Sequence, residues 1–522
     1  MKSYIYYLSL MYIALILAGC STNIVNLEPD KVEKLAQSGD PIAQNRMGTI
    51  YKEGKVVQQD YNLALNWYLK AAMKNNIEAQ YNLALMYLKG EGILRNPQKS
   101  IFWLNEPLNQ NYTPAQMTMA FLYENGVGVE IDYKKAFELY LKAAKKNDLF
   151  AQYKLFEMYY NGNGVDKDIQ EAYHWCVKSA NQGDSNAQLI LGEFYLMGQI
   201  VEKDISKAMS WYQKSAENGN KIAQRRLGNL YYEGKYIEKD YEKAYEWFRK
   251  ASLQDDIESF FLLGIMHEFG YGVKKDYEET MYWYKKAAEH QYSAAQNNIG
   301  SLYERGKGVP QNYEKAFYWY LESAKNGNVI GQNNLGVLFK DGNGVQQDYK
   351  KAFEWFLKAA EQKNHYAAYN LGVLYYQGNG VEKDYVKAFY WFEKAALNNH
   401  STAQYYVANL YFMGNGIKRN YKKALEWYLK SAKNNNQYSQ NQLGYMYHVG
   451  KGVEYDYKEA IKWYDLAIKN GYQKAKCNII PVLLSTSDTP ENRSIASTYA
   501  LDTYQKTNYS FCKEMIDEYN FK

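Results

Sequence analysis

The chain has 522 residues, 47% of them hydrophobic, so it is long enough for several domains and apolar enough for a large core, which excludes a disordered chain. Its 62 basic and 57 acidic residues are too evenly balanced to indicate a nucleic-acid partner. The apolar share is unusual in kind, with 56 tyrosines and 11 tryptophans but only 8 prolines.

The N-terminus has the pattern of an export signal. Lys2 precedes a largely apolar segment that is too short to span a membrane comfortably and that ends in LAGC at Cys20. This ending resembles the bacterial lipobox, in which the cysteine becomes the lipidated first residue of the mature protein; an uncleaved signal anchor is the alternative. We predict a lipoprotein signal peptide over residues 1–19, then the lipidated Cys20 and a short tether over residues 20–28.

The lipid would be the chain's only attachment to a membrane. Ser21, rather than aspartate, follows the cysteine. In Gram-negative bacteria this pattern implies sorting to the outer membrane. We therefore expect a lipoprotein of the cell envelope, facing either the periplasm or the cell surface.

A period of 36 residues organises most of the remaining chain. Written in rows of that length, the sequence aligns without an insertion or a deletion. Many rows carry Ala-Gln at the same place, every row carries a glycine eleven residues after that alanine, and tryptophan follows thirteen residues later, with Leu139 as the single substitution. A residue type that recurs in this way does the same structural work in every row.

Each row predicts two helices. In the first row, Ala43, Met47 and Ile50 lie on one helical stripe. The second helix begins near Asp60, a favourable N-cap, and Trp67 lies on its apolar stripe as a predicted core plug. Neither helix can bury its stripe alone, so neighbouring rows must stack.

The row pattern A-Q-x-x-L-G-x-x-Y-x-x-G-x-G-V-x-x-D-Y-x-K-A-x-x-W-x-x-K-A-A resembles the Sel1-like repeat, a relative of the tetratricopeptide repeat. The resemblance implies an all-α fold, a right-handed α-solenoid of about twelve helix-pair repeats whose first helices line the concave side. It covers the predicted repeats at 41–472. We expect an N-terminal half-cap over 29–40 and capping helices over 473–522. Members of the family act as adaptors in envelope assembly, signalling and host interaction.

Two regions depart from the pattern. Pro97, Pro107 and Pro114 surround the second helix of row two, which we therefore expect to be shortened. Cys477 and Cys512 both lie in the C-terminal region, where a disulfide is possible in an oxidising compartment, but their spacing leaves the bridge open.

No motif gives a strong signal for catalysis or for a metal. The recurrent G-x-G has no preceding strand and no third glycine, so it predicts a structural turn rather than a phosphate loop. The six histidines lack the i, i+4 spacing of a helical zinc site, although His365 and His400 lie in neighbouring loops. Ser510 and Lys513 form an isolated Ser-x-x-Lys. We predict Cys176 to be a buried structural thiol.

Some cysteine-rich relatives have been described as β-lactamases, but they carry a disulfide in each repeat and this chain lacks those cysteines. We predict no enzyme activity, no cofactor and no metal. The alternatives are a hydrolase directed at the cell wall and a regulator of a wall-modifying enzyme.

The informative feature is a variable stripe on the first helix, at positions 45, 49 and 52 of row one and their equivalents. Its spacing places the three positions on one face, and its content of Tyr, Phe and Leu is typical of protein-binding surfaces. Packing between neighbouring first helices is the alternative. The predicted groove residues are Tyr81, Phe121, Tyr153, Tyr160, Arg225, Tyr232, Phe261, Tyr369, Tyr376, Tyr405, Phe412 and Tyr445.

The sequence therefore predicts a lipid-anchored scaffold. Its concave groove would bind a protein or peptide partner, with a glycan as the alternative, and no nucleic acid.

Overall fold

The computed structural model describes residues 27–521, and every regular element in that range is an α-helix. The predicted signal peptide and Cys20 lie outside the described residues. The described residues fall into two compact units, unit 1 up to residue 254 and unit 2 from residue 255. Within residues 27–521, no helix is both long enough and apolar enough to cross a membrane.

Unit 1 begins with a single helix and continues as alternating first and second helices of the repeats. Its helices are α1 (Pro29–Gln37), α2 (Pro41–Glu53), α3 (Tyr61–Ala72), α4 (Ile77–Lys89), α5 (Pro97–Asn109), α6 (Thr113–Asn125), α7 (Tyr133–Lys145), α8 (Leu149–Asn161), α9 (Ile169–Asn181), α10 (Ser185–Met197), α11 (Ile205–Glu217), α12 (Lys221–Glu233) and α13 (Tyr241–Ser252).

Unit 2 continues the same alternation and ends in four further helices. Its helices are α14 (Ile257–Phe269), α15 (Tyr277–Glu289), α16 (Ser293–Arg305), α17 (Tyr313–Lys325), α18 (Val329–Asp341), α19 (Tyr349–Glu361), α20 (His365–Gln377), α21 (Tyr385–Leu397), α22 (Ser401–Met413), α23 (Tyr421–Lys433), α24 (Gln437–Val449), α25 (Tyr457–Lys469), α26 (Ala475–Asn478), α27 (Ile480–Thr486), α28 (Pro490–Thr507) and α29 (Ser510–Tyr519).

Within each unit, the helices stack in the order of the chain. Each first helix packs against the second helix of its own repeat, which in turn packs against the first helix of the next repeat. This confirms the prediction of an all-α fold built from helix pairs. Because each pair buries its apolar stripes only against its neighbours, the contacts are local in sequence.

The glycine-rich loop inside each repeat is a structural turn, as predicted. Gly378 ends α20 in the left-handed conformation, with φ of 81°. Gly380 lies against the preceding repeat, where an added Cβ would approach the carbonyl carbon of Tyr349 to 2.6 Å. Asp384 then begins α21 by accepting hydrogen bonds from two amides of its first turn, which lower the pKa of its carboxyl.

In the repeat at residues 365–400 the core plug is the residue after the tryptophan, so the prediction for Trp391 was wrong. The tryptophan is buried in three other repeats, at Trp175, Trp247 and Trp283. Phe392 is completely buried, whereas Trp391 stays partly exposed, with the Lys394 ammonium 4.9 Å from its ring centroid. The reason lies on the facing first helix. An added Cβ on Gly372 would lie 2.5 Å from the Phe392 ring, so this glycine leaves the space that the ring fills.

One repeat of unit 1 exchanges the sizes of these two positions. Phe156 stands where other first helices carry glycine or alanine, and Cys176 stands where other second helices carry an aromatic ring or leucine. Both side chains are buried in the same core cluster. Cys176 is a buried free thiol, as predicted, and burial raises its pKa.

The recurrent glutamine connects three segments of the stack. Gln188 donates from Nε2 to the Ala180 carbonyl at the end of the preceding helix (3.0 Å), and its Oε1 accepts from Asn218 Nδ2 (2.9 Å). In one repeat of unit 2, Phe260 replaces the glutamine and His290 replaces the asparagine. The Phe260 ring stacks on His290, with centroids 6.5 Å apart. A ring contact there replaces the hydrogen bond.

The prolines of row two do not shorten its second helix, so that prediction was wrong. Helix α5 has 13 residues, the same length as α7. Pro97 occupies its first turn and Pro114 the first turn of α6, where a missing backbone N–H costs no hydrogen bond. Only Pro107 lies inside the helix, near its end.

The C-terminal helices pack on the last repeat and are joined by a disulfide. Cys477 in α26 pairs with Cys512 in α29, with Cα atoms 5.2 Å apart. The structure thus decides a pairing that the sequence spacing left open.

Candidate partner-binding surface

The variable stripe lies on the first helices in both units, but two of its predicted groove residues are inaccessible. Tyr81 is 7% exposed and Phe121 is 5% exposed, and both belong to one core cluster. The Tyr81 hydroxyl lies 3.3 Å from the Thr118 hydroxyl, and burial raises its pKa to about 12. Here the stripe packs between neighbouring first helices, so Tyr81 and Phe121 are not groove residues.

The other predicted residues of unit 1 stay partly accessible. Tyr153, Arg225 and Tyr232 are partly exposed, and Tyr160 is 38% exposed. The Tyr160 ring stacks on Phe194 of the next repeat, with centroids 6.4 Å apart.

Unit 1 places a buried ion cluster on this stripe. The Lys154 side chain is only 7% exposed, and its Nζ lies 3.1 Å from Glu124 and 2.9 Å from Glu157. The Tyr140 hydroxyl donates to the other oxygen of Glu124 at 2.8 Å. Carboxylates on two successive first helices therefore share one buried ammonium, which fixes the charge of this surface.

A second ion pair follows in the next repeats of unit 1. Arg226 Nε lies 2.9 Å from Glu193, whose side chain is mostly buried. Burial, with a smaller contribution from the glutamate charge, raises the pKa of the neighbouring Tyr212 hydroxyl. The first-helix surface of unit 1 is thus a mixture of fixed positive and negative charges.

Unit 2 differs, because three of its first helices carry no formal charge. Helices α20 (HYAAYNLGVLYYQ), α22 (STAQYYVANLYFM) and α24 (QYSQNQLGYMYHV) contain no Asp, Glu, Lys or Arg. Their second-helix partners do carry charge, for example Lys387 and Lys394 on α21. Charge is therefore segregated to one side of these repeats.

Aromatic rings on these helices contact one another across three successive repeats. The Tyr376 ring lies 5.4 Å from Tyr406, and Tyr405 lies 5.5 Å from the same ring. Further along, Phe412 lies 6.2 Å from Tyr445. The predicted groove residues Tyr369, Tyr376, Tyr405, Phe412 and Tyr445 are all partly exposed.

Two exposed tyrosines extend this cluster by one helical turn. Tyr366 is 55% exposed and Tyr438 is 44% exposed. Tyr366 precedes Tyr369 by three residues, so it lies on the same helix face, and Tyr438 contacts Tyr405 at 5.8 Å. We call the following set the aromatic face: Tyr366, Tyr369, Tyr376, Tyr405, Tyr406, Phe412, Tyr438 and Tyr445.

The sequence-based prediction missed Tyr366, Tyr406 and Tyr438, which lie at other positions of the repeat than the three of the variable stripe. The absence of charged residues from three first helices was the signal that could have found them. The remaining predicted residue, Phe261, is partly exposed but lies apart, against Tyr284 and Tyr292.

A chain of side-chain amides separates Phe261 from the aromatic face. The chain runs through Asn370, Asn333, Asn334, Asn297, Asn298, the Tyr284 hydroxyl and Glu268. Each group donates a hydrogen bond to the next one in this order, with successive distances of 3.1, 3.4, 3.0, 3.3, 3.1 and 2.7 Å. Because every donor points the same way, the hydrogen bonds polarise one another and hold successive first helices in register.

His400 joins the N-terminus of α22 to the aromatic face. Its Nδ1 accepts a hydrogen bond from the Ala403 amide (3.2 Å), and its ring stacks on Tyr369 with centroids 4.5 Å apart. Burial, with a smaller contribution from His365, lowers the pKa of His400 below its usual 6.5. The two histidines do approach, with ring centroids 6.3 Å apart. His400 serves as a helix cap.

Residues 27–521 do not contain a group of three or more His, Cys, Asp or Glu side chains arranged to hold a metal ion. Ser510 begins α29, and Lys513 pairs with Asp517 at 3.1 Å on an exposed surface. This Ser-x-x-Lys thus forms part of an ordinary helix surface.

The model of the Sel1 repeat matches the chain at residues 41–76, 77–106, 113–148, 149–184, 185–220, 221–256, 259–292, 293–328, 329–364, 365–400, 401–436 and 437–472. None of the curated proteins matches the chain.

Among solved structures, the chain is similar to c5321, a protective antigen present in uropathogenic Escherichia coli strains and displaying an SLR fold. The two are 31% identical, the TM-score is 0.70, and the match covers 94% of this chain and 97% of that one. A Sel1 repeat protein from Oxalobacter formigenes is 30% identical over 58% of this chain and 88% of that one, with a TM-score of 0.48.

Proposed function

Because the chain belongs to the Sel1 repeat family, we propose that it is a non-catalytic scaffold that captures a protein partner on the aromatic face of unit 2. The single observation that carries this proposal is the combination of partly exposed rings with three first helices that bear no formal charge. Tyrosine is enriched among the few residues that contribute most of the binding energy at protein interfaces, and Lys, Glu and Asp are depleted from the interface core.

Core packing of the repeats does not require the exposed rings of this surface. The repeat fixes its core through the buried ring and the facing glycine, and Tyr366 and Tyr438 contribute little to that core because about half of each side chain is exposed. In unit 1 the stripe mixes rings such as Tyr153 and Tyr160 with ion-paired glutamates. The other rings of the aromatic face pack against core clusters but stay partly exposed, so they too are available for recognition.

We further propose that the protein is anchored in the cell envelope through a lipid on Cys20. The LAGC sequence supports this, as does the Cys477–Cys512 disulfide, since disulfides persist in oxidising compartments. The related c5321 is a protective antigen, which favours an outer-membrane lipoprotein that faces the cell surface and meets the host.

Site-specific photo-crosslinking in the native cells tests the binding surface. A photoreactive residue at Tyr366 should crosslink a protein, whereas the same residue at Tyr390 should not. Tyr390 is a matched control, because it is 48% exposed and lies in the same repeat, on α21. Equal crosslinking from both positions, or none from Tyr366, would contradict the proposal.

Fractionation tests the anchor independently. Cys20→Ser should release the protein from the membrane fraction, and an unchanged distribution would contradict lipidation. The non-catalytic part of the proposal would fail if the purified protein hydrolysed a β-lactam and a point substitution abolished that activity.

A further inference from the structure

We propose that the aromatic face binds a proline-rich segment of the partner in the extended polyproline II conformation. This inference rests on the proposed function and names the class of ligand that the surface fits. Three properties of the described residues support it: the charge of the surface, the angles between its rings and its hydrogen-bond donors.

The charge of the surface matches an uncharged ligand. Across α20, α22 and α24 there is no side chain that could pair with a lysine or a glutamate of a bound segment, so a charged ligand would lose hydration without compensation. At the far border, the Lys451 ammonium lies 3.2 Å from the Tyr445 hydroxyl and 5.6 Å from the centroid of the Phe412 ring, so a positive charge borders the surface at that end. A proline-rich segment carries no side-chain charge on its prolines.

The rings are inclined steeply to one another. Interplanar angles are 65° between Tyr376 and Tyr406, 70° between Tyr405 and Tyr406, and 65° between Phe412 and Tyr445. In these pairs the edge of one ring meets the face of the next, so the surface is ridged rather than a flat platform. Proline-rich segments dock on such aromatic-lined, uneven surfaces, whereas a sugar ring stacks best on an open aromatic plane.

The surface also offers hydrogen-bond donors, which the carbonyl groups of a proline-rich backbone need. A polyproline II segment makes no internal hydrogen bonds, and proline supplies only carbonyl acceptors. The side-chain oxygen of Asn409 accepts a hydrogen bond from the Tyr428 hydroxyl at 2.5 Å. This leaves the two hydrogens on Asn409 Nδ2 as donors on the partly exposed face. Tyrosine hydroxyls of the aromatic face supply further donors.

Calorimetric titration of the full-length protein in detergent with a ten-residue oligoproline tests the proposal. The wild-type protein should bind, and binding should be insensitive to salt because no charge pairs form. Tyr366→Ala and Tyr438→Ala should each weaken binding by about fivefold or more, as expected when an interface ring is removed. Tyr390→Ala should leave binding unchanged. A glycine-serine peptide of equal length and a neutral oligosaccharide are the ligand controls.

Because Tyr366 and Tyr438 are largely exposed, their alanine variants should keep the wild-type Tm. Tyr366→Phe provides a second variant that keeps the ring and should retain most of the binding. Absence of oligoproline binding, equal loss in Tyr390→Ala, or preferential binding of the oligosaccharide would each overturn the inference. If oligoproline fails to bind while Tyr366 still crosslinks a protein, the proline-rich ligand is wrong and the scaffold function stands.

Discussion

The first-helix surfaces of unit 1 and unit 2 are built on one repeat, but they differ in charge. In unit 1, Lys154 sits between Glu124 and Glu157, and Arg226 pairs with Glu193. In unit 2, asparagine amides and then aromatic rings occupy the equivalent faces. The repeat constrains the core and the turns of every row but leaves this face free, so the two units can present different surfaces on the same scaffold.

The substitution with the largest expected effect removes the buried ammonium of unit 1. Lys154→Met should destabilise unit 1 by about 3 kcal/mol, because it leaves Glu124 and Glu157 without their shared cation. Hydrogen exchange in α8 would measure the loss locally. The triple variant Lys154→Met, Glu124→Gln, Glu157→Gln removes the charges together and should recover most of the stability. A harmless single substitution would show that the cluster is not a fixed feature of unit 1.

The size exchange between Phe156 and Cys176 tests whether both units obey one packing rule. Cys176→Tyr alone should destabilise its repeat by about 1–3 kcal/mol, because Phe156 already fills the site. Adding Phe156→Gly rebuilds the glycine–ring pair seen at Gly372 and Phe392 and should restore the Tm. If the double variant is no more stable than the single one, the two positions are not a packing pair in unit 1.

The amide chain of unit 2 should be less costly to interrupt than the ion cluster of unit 1. Asn370→Ala removes one neutral hydrogen bond to Asn333 and should cost about 1 kcal/mol, measured by urea unfolding. Asn370 occupies the position in its repeat that Lys154 occupies in its own, so the two substitutions are directly comparable. A loss as large as that of Lys154→Met would mean that the polarised chain acts as one cooperative unit.

The smallest expected effect is a pH dependence confined to the aromatic face. Since the pKa of His400 is lowered in the folded state, the unfolded chain binds its proton first as pH falls below the usual 6.5. Stability should therefore be complete above that value and decline through the window between 6.5 and the lowered pKa. His400→Asn keeps a capping acceptor, as Asn436 does at α24, without titrating in this range. Its Tm should change less than that of the wild type between pH 7 and pH 5.

Much of the fold could be predicted because the same chemistry recurs in each row. Asp384 as a cap and Gly378 as a left-handed turn follow from local backbone requirements that the sequence displays openly. The tryptophan was misplaced because its recurrence says only that it does the same work in every row. Which of two adjacent aromatic residues points to the centre depends on the facing helix, where Gly372 makes room for Phe392 and not for Trp391.

The candidate surface was predicted in part. The three-position stripe includes Tyr369, Tyr376 and Tyr405, but it also includes Tyr81, which is buried. One helical face can pack against a neighbour in one repeat and meet solvent in another, and residue spacing is identical in both cases. The exposure of Tyr366 and the contact of Tyr406 with the ring of Tyr376 in the preceding repeat are visible only in the structure.

By itself, the sequence determined the family, the helix pairs, the turns and the caps, because these depend on short-range periodicity and backbone geometry. Tertiary structure alone decided the pairing of Cys477 with Cys512, the side chain that fills each core and the tyrosines that remain exposed. These outcomes depend on which side chains of neighbouring helices come within a few ångströms of each other. That proximity arises only when the helix pairs stack.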